Sequence, residues 1–324
     1  MALQTQLAEE VAKYRAATFA VNTQRTYKSH LKSFMEFCNQ VDISPVPISE
    51  ESLCQYAAFL SRKLKPSSVR QYLNIVRLVH VECGYDNPLD SWLLKSTLKG
   101  IERINGNCVI RKEPITPRIL LQLKMCLDLS CVEDAFFWAA CLVLFFGTFR
   151  KSNLFPDSRK SFDASKQFVR SDFVASEHGE IYVTVRWSKT IQCREREYKV
   201  KLPCLNHPLS PTHAIVRAFR LAPLPATSPA FVSTTKGSPM VGHAFNRRLK
   251  AVLSKCGYCT KDFSSHSFRR GSAVWAIQCG LPTEMVKFMG DWKSGAYLNY
   301  VDSIPRCMVE VYSNKFCANL PKEI

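Results

Sequence analysis

The sequence predicts a mainly α-helical chain with one small antiparallel β-sheet, divided between two domains. Three observations carry this expectation. The 324 residues exceed the usual size of a single domain. Most of the chain spaces its apolar residues three and four apart, between recognisable cap and stop signals. One stretch alternates instead: Tyr182-Val183-Thr184-Val185-Arg186-Trp187, a connection over 188–196, then Tyr198-Lys199-Val200-Lys201-Leu202. With a strand expected near 168–173, this makes three strands. At 46% hydrophobic and 22% charged, the composition is that of a globular protein rather than a disordered one.

Residues 1–105 are expected to form a helical domain. Asn22-Thr23 can cap a helix that places Tyr27, Leu31, Phe34 and Cys38 on one face and Arg25, Lys28 and Lys32 on the other. A loop with Pro45 and Pro47 ends in Ser49, and Glu50-Glu51 suit the positive first turn of a second helix through Tyr56, Phe59 and Leu60. Ser67 or Ser68 caps a third, stopped by Gly84, and a fourth covers 93–104. Asn105-Gly106-Asn107 opens a linker over 106–115, rich in turn formers and without periodicity.

The second domain, 116–324, starts at Thr116-Pro117, an N-cap followed by an N1 proline. The apolar run 135–149 is too short to span a membrane, which takes roughly 18–20 residues, so a buried central helix is expected. Arg150 is the first polar residue after it and, read alone, is a cation at a helix C-terminus. Beyond the sheet, a Pro-rich connection precedes a basic helix around 246–254 carrying Arg247, Arg248 and Lys250. Ser264 and Ser265 are N-cap candidates for a helix stopped by Gly280; a second helix follows Pro282 and ends at Gly290. Met308, Val309, Tyr312 and Phe316 are compatible with one amphipathic tail helix.

The net charge of +17 calls for a polyanionic partner. The excess is uneven: residues 1–105 hold 13 basic and 10 acidic side chains, and the remainder 31 and 17. The second domain is therefore expected to bind most of the phosphates. Fourteen cysteines and an N-terminus without an apolar core behind a basic head suggest reduced thiols and no secretory leader. Cys256 and Cys259 have a zinc-like spacing, but no second pair matches it and structural zinc takes four ligands.

His266 and Arg269 share one face at the opening of a helix, a suitable place for a phosphate. Tyr300 follows ten residues after Gly290, with Trp292 between. The order Arg150, Lys189, His266-x-x-Arg269, Trp292, Tyr300 resembles the signature of the tyrosine recombinases (phage integrases, Xer and Cre recombinases), with Gly290-Asp291-Trp292 closest in style to DIRS-like and crypton-type mobile elements. Asn153 stands where many relatives have Glu or Asp. The resemblance implies a helical core-binding domain followed by an α+β catalytic domain.

It also implies roles. Arg150 and Arg269 would grip the nonbridging oxygens of a scissile phosphate, and Tyr300 would attack phosphorus to give a 3′-phosphotyrosyl enzyme and a 5′-hydroxyl. Lys189, at the start of the hairpin turn, would protonate the leaving oxygen, His266 would accept or steer the tyrosyl proton, and Trp292 would donate its indole N–H to the phosphate. Tyr297 is an alternative nucleophile on the same face, and Lys293 or Arg270 an alternative cation. No cofactor or metal is implied. The partners are double-stranded DNA and further copies of the chain, as a dimer or tetramer assembled through the C-terminal tail, although that tail could equally pack on its own domain. A nuclear location follows, or the nucleoid in a prokaryote. The alternatives are a DNA-binding descendant that no longer cuts, and a type IB topoisomerase that relaxes supercoils.

Overall fold

The computed structural model describes residues 2–106, 111–193, 195–292 and 295. Lys293, Tyr297, Tyr300 and the expected tail helix lie outside these residues. The chain divides into two compact units, Met1–Ile110 and Arg111–Ile324.

The first unit holds α1 (Ala2–Ala16), α2 (Val21–Gln40), α3 (Glu50–Ser61), α4 (Pro66–Glu82) and α5 (Trp92–Asn105). Four were expected; α1 is an addition, and its Leu3, Leu7, Val11 and Tyr14 are exposed, so it gives periodicity without burial. Phe34, Phe37, Leu53, Tyr56, Val69, Leu73, Leu94 and Leu98 form the core of α2–α5. Ser49 caps α3 by accepting from the Ser52 amide at 3.1 Å. Two other caps fall elsewhere. Helix α2 begins at Val21 after Ala20, which puts Asn22 and Thr23 inside its first turn, and α4 begins at Pro66 after Lys65. Proline at the first helical position presets φ and needs no amide partner, so neither serine is required. His80 accepts from the Ile48 amide at 2.9 Å through Nε2, leaving Nδ1 to donate to the Val76 carbonyl at 2.8 Å. A neutral imidazole thereby fastens the proline loop to α4.

The second unit is built around α7 (Val132–Phe146), whose residues 134–145 are all buried. Helix α6 (Pro117–Met125) precedes it, capped by Thr116 on the Ile119 amide at 3.2 Å. The expected helix over 135–149 stops three residues early. Gly147 ends it, and Thr148 turns into the left-handed region at φ 52. Phe149 then folds back, its ring only 2.2 Å from where a Cβ on Gly147 would sit. Arg150 is thus not a cation at the C-terminus of α7: it is extended and precedes the short helix α8 (Lys151–Leu154). Dipole compensation does not account for it there.

Strands β1 (Phe173–Ala175), β2 (Ile181–Val185) and β3 (Tyr198–Leu202) form an antiparallel sheet in the order β1-β2-β3. The first starts later than expected because Asp172 accepts from the Val169 amide at 2.9 Å, closing a tight turn over 169–172. Ile181, Val183 and Val185 face the core, and Tyr182 pairs with Lys201. Then come α9 (Pro211–Leu221), α10 (Gly242–Lys255), α11 (His266–Gln278) and α12 (Thr283–Met289). Ser265 precedes α11 without capping it; Ser264 accepts from the His266 amide instead, at 3.2 Å. No helix among the described residues is long and apolar enough to cross a membrane.

Candidate active site

Four of the six expected site residues come from two places on the second unit: Arg150 from the turn between α7 and α8, and His266, Arg269 and Trp292 from the α11–α12 pair and the residues after it. Arg269 sits on the buried face of α11 and is 3% exposed. A guanidinium so far from water must be hydrogen-bonded. One Nη donates to the Thr148 carbonyl and the other to the Gly290 carbonyl. The left-handed turn at Thr148 directs the first acceptor, and its hydroxyl is fastened to Ser272 at 2.9 Å. Beneath the guanidinium lies the Trp292 ring, 4.3 Å from Cζ to centroid. Trp292 is buried with Ala273, Ala276, Ile277 and Val286, so it anchors α12 to α11 as well as supporting the arginine. Gly290 permits this packing: a Cβ there would lie 2.0 Å from the indole.

His266 opens α11. Its ring is accessible, yet enough protein surrounds it to desolvate it, and that desolvation pushes its pKa down, with Arg269, Arg150 and Arg270 adding to the effect. Arg150 is half-buried and acts on the same space, since Arg269 and Arg150 both lower the pKa of the Tyr198 phenol. Burial and Asp291 outweigh them and raise it. Arg150, His266 and Arg269 therefore share one electrostatic neighbourhood, with Tyr198 at its edge. Arg270 points its guanidinium at the Lys112 carbonyl, which makes it an anchor for the segment entering this unit.

Lys189 is exposed on a turn over 188–191 closed by backbone hydrogen bonds in both directions between Ser188 and Ile191. Two side chains hold the turn. At its root, buried Asn153 donates to the Trp187 carbonyl at 2.8 Å. At its far side, the Thr190 hydroxyl donates to Asp291, which also receives Arg196. The lysine turn is thus tied to the residue between Gly290 and Trp292. Tyr300, the expected nucleophile, and its alternative Tyr297 lie outside the described residues.

Sequence reasoning missed Thr190, Asp291, Arg196 and Tyr198. Tyr198 reads as an ordinary strand residue, and the Thr190–Asp291 bond joins residues 101 apart, beyond any local pattern. Among the described residues no group of three or more His, Cys, Asp or Glu side chains could hold a metal ion. Cys256 lies 3.6 Å from Cys126, sulfur to sulfur, while Cys259 is exposed.

Residues 4–82 match the phage integrase SAM-like domain. An integrase/recombinase XerD homologue from Selenomonas ruminantium is 24% identical over 270 residues, covering 80% of this chain and 74% of its own. Among solved structures, the XerH site-specific recombinase bound to a palindromic difH substrate aligns with a TM-score of 0.67 at 16% identity, over 94% of this chain and 83% of that one. The Tn1549 transposon integrase in complex with circular intermediate DNA aligns at 0.59 and 13% identity, over 91% and 94%. A lambda integrase dimer bound to a COC′ core site aligns at 0.58 and 13%, over 94% and 96%. The helical first unit, the three-stranded sheet and the helices that follow it share the fold of these integrases and recombinases.

Proposed function

We propose that this chain is a site-specific DNA recombinase, of mobile-element type, that cuts and rejoins duplex DNA through a covalent 3′-phosphotyrosyl intermediate. The observation that carries the reading is the convergence of Arg150, His266 and Arg269 on one neighbourhood, with Trp292 beneath Arg269 and the Lys189 turn fastened alongside. Two guanidinium groups neutralise charge that builds on a phosphate as it is attacked, each contributing about 3–4 kcal/mol on the scale of one oxyanion-hole donor. The Tyr300 oxygen forms a bond to phosphorus as the bond to the 5′ oxygen breaks. Lys189 supplies the proton to that leaving oxygen. His266, kept neutral by desolvation and neighbouring cations, receives the tyrosyl proton. Trp292 supports Arg269 by stacking, and in this reading its indole N–H donates to the phosphate. The ester energy is conserved in the phosphotyrosine, so religation needs no nucleotide.

In this reading residues 1–105 form the core-binding domain, 106–115 the linker and 116–324 the catalytic domain. Two or four copies act on paired sites, joined through the tail beyond Tyr300, in the nucleus or nucleoid where the DNA lies. The test is covalent capture in EDTA, on a nicked duplex carrying the sequence recovered by binding selection from a random pool. Wild type is expected to form a denaturation-resistant adduct. Tyr300→Phe should abolish it while binding survives, and Arg269→Ala should reduce it by roughly 10²–10³. Undiminished capture by Tyr300→Phe refutes the nucleophile assignment. Relaxed circles without recombinants point to topoisomerase action, and binding without an adduct to a descendant that no longer cuts.

A further inference from the structure

The three residues after α12 each serve the site by a different group. Gly290 offers its carbonyl to Arg269, Trp292 offers its ring to the same guanidinium, and Asp291 turns its carboxylate toward the lysine turn. Asp291 adopts φ 48, a left-handed conformation uncommon for non-glycine residues in which Asp is enriched. Its side chain is only 10% exposed, and it accepts from the Thr190 hydroxyl on one oxygen and from Arg196 on the other. A carboxylate so buried, receiving two donors from one loop, holds that loop in place.

The loop needs holding. Lys189 carries its amine on a flexible four-carbon stem, so the reach of the amine depends on where its backbone is fixed. Behind it, Asn153 fixes the Trp187 carbonyl. Ahead of it, the Thr190 hydroxyl contacts Asp291 and lies 2.8 Å from the Ser188 hydroxyl. We propose that Asp291 is a positioning residue that acts through Thr190, setting Lys189 in register with Arg269 so that proton donation and phosphate binding share one frame. The inference rests on the cleavage reading above. In that step the bond from phosphorus to the 5′ oxygen breaks, and a proton from the Lys189 ammonium completes the 5′-hydroxyl. Asp291 and Thr190 exchange no proton with the DNA.

The chemistry of the leaving group separates positioning of the proton donor from a general structural role. A thiol is acidic enough, with a pKa of about 8.5, for its thiolate to depart unprotonated near neutral pH, whereas an alkoxide is not. Single-turnover cleavage is therefore compared on two nicked duplexes of the selected sequence, one natural and one with sulfur in place of the bridging 5′ oxygen. Thr190→Val, which removes only the hydroxyl, and Asp291→Asn are expected to slow the natural duplex by roughly 10²-fold, the lower end for a general acid. Both should recover most of that loss on the sulfur-bridged duplex, as should Lys189→Ala. Thr190→Ser, which retains the hydroxyl, should cut the natural duplex close to the wild-type rate. Arg269→Ala should stay slow on both. The proposal is overturned if Thr190→Val cuts the natural duplex as fast as wild type, or if its deficit is equal on the two duplexes. A wild-type protein that captures neither duplex defeats the cleavage reading itself, and the positioning role with it.

Discussion

At the scale of single residues, the site is defined by what each cation gives up to be there. Arg269 donates to two main-chain carbonyls among the described residues and rests on an indole, which fixes the plane of the guanidinium. His266 sits among three arginines, and the cost is borne by its protonated form. In the folded chain its pKa lies below the ordinary 6.5, so the unfolded chain takes up the proton first. Stability is unaffected by this group above pH 6.5 and declines as the pH falls below it. The imidazole of the free protein is expected to titrate below 6.5 by NMR, with Arg150→Gln moving the midpoint upward because one neighbouring cation is gone. A midpoint that stays in place in that variant would separate Arg150 from the site. The residue types at this scale were readable in sequence, because His266, Arg269 and Trp292 keep a recognisable spacing. Their partners were not. The Thr148 carbonyl accepts from Arg269 across 121 residues of sequence, in a conformation that no β-branched residue prefers.

At the scale of elements, α11 is placed by a close backbone approach. The Ile115 amide donates to the Ser267 carbonyl at 2.9 Å and the Glu113 amide to the Asp262 carbonyl at 2.7 Å. A Cβ on Gly271 would lie 1.8 Å from the Ile115 carbonyl oxygen, so only glycine lets the entering segment lie this near the helix. The obstacle is main chain held by its own hydrogen bonds and by Arg270, not the tip of a side chain that could rotate away. Gly271→Ala is expected to destabilise the protein by about 3 kcal/mol, the upper range for overpacking, and to lower its urea midpoint. An unchanged midpoint would mean the segment moves freely. Helix propensity alone predicts the opposite sign, since alanine is favoured over glycine in a helix by about 1 kcal/mol. The same contrast explains why element types were legible and ends were not. The apolar run 135–149 announces a buried helix, but its stop depends on Gly147 leaving room for the Phe149 ring, a contact visible only once the chain has folded.

At the scale of the whole molecule, charge decides how DNA is held. The +17 excess falls mostly after residue 105, yet the first unit presents Arg25, Lys28 and Lys32 as exposed residues along one side of α2. Of these, Lys32 has an exposed partner in Glu36 at 3.7 Å, a pair worth little in water. The spacing of three and four keeps the three cations on a single face, away from Phe34, Phe37 and Cys38, which that helix buries. If the first unit contacts the backbone through this face, each lost phosphate contact removes about 0.9 from the slope of log affinity against log salt concentration. Replacing all three by Gln is expected to reduce that slope by roughly two to three units while leaving the melting temperature unchanged. Fluorescence anisotropy on the selected duplex, titrated with salt, reads the slope directly. An unaltered slope would confine phosphate binding to the second unit and reduce the first to a folded neighbour. A smaller slope with unchanged covalent capture at low salt would instead separate grip from chemistry: α2 would supply affinity, and the arginines around His266 would supply the reaction.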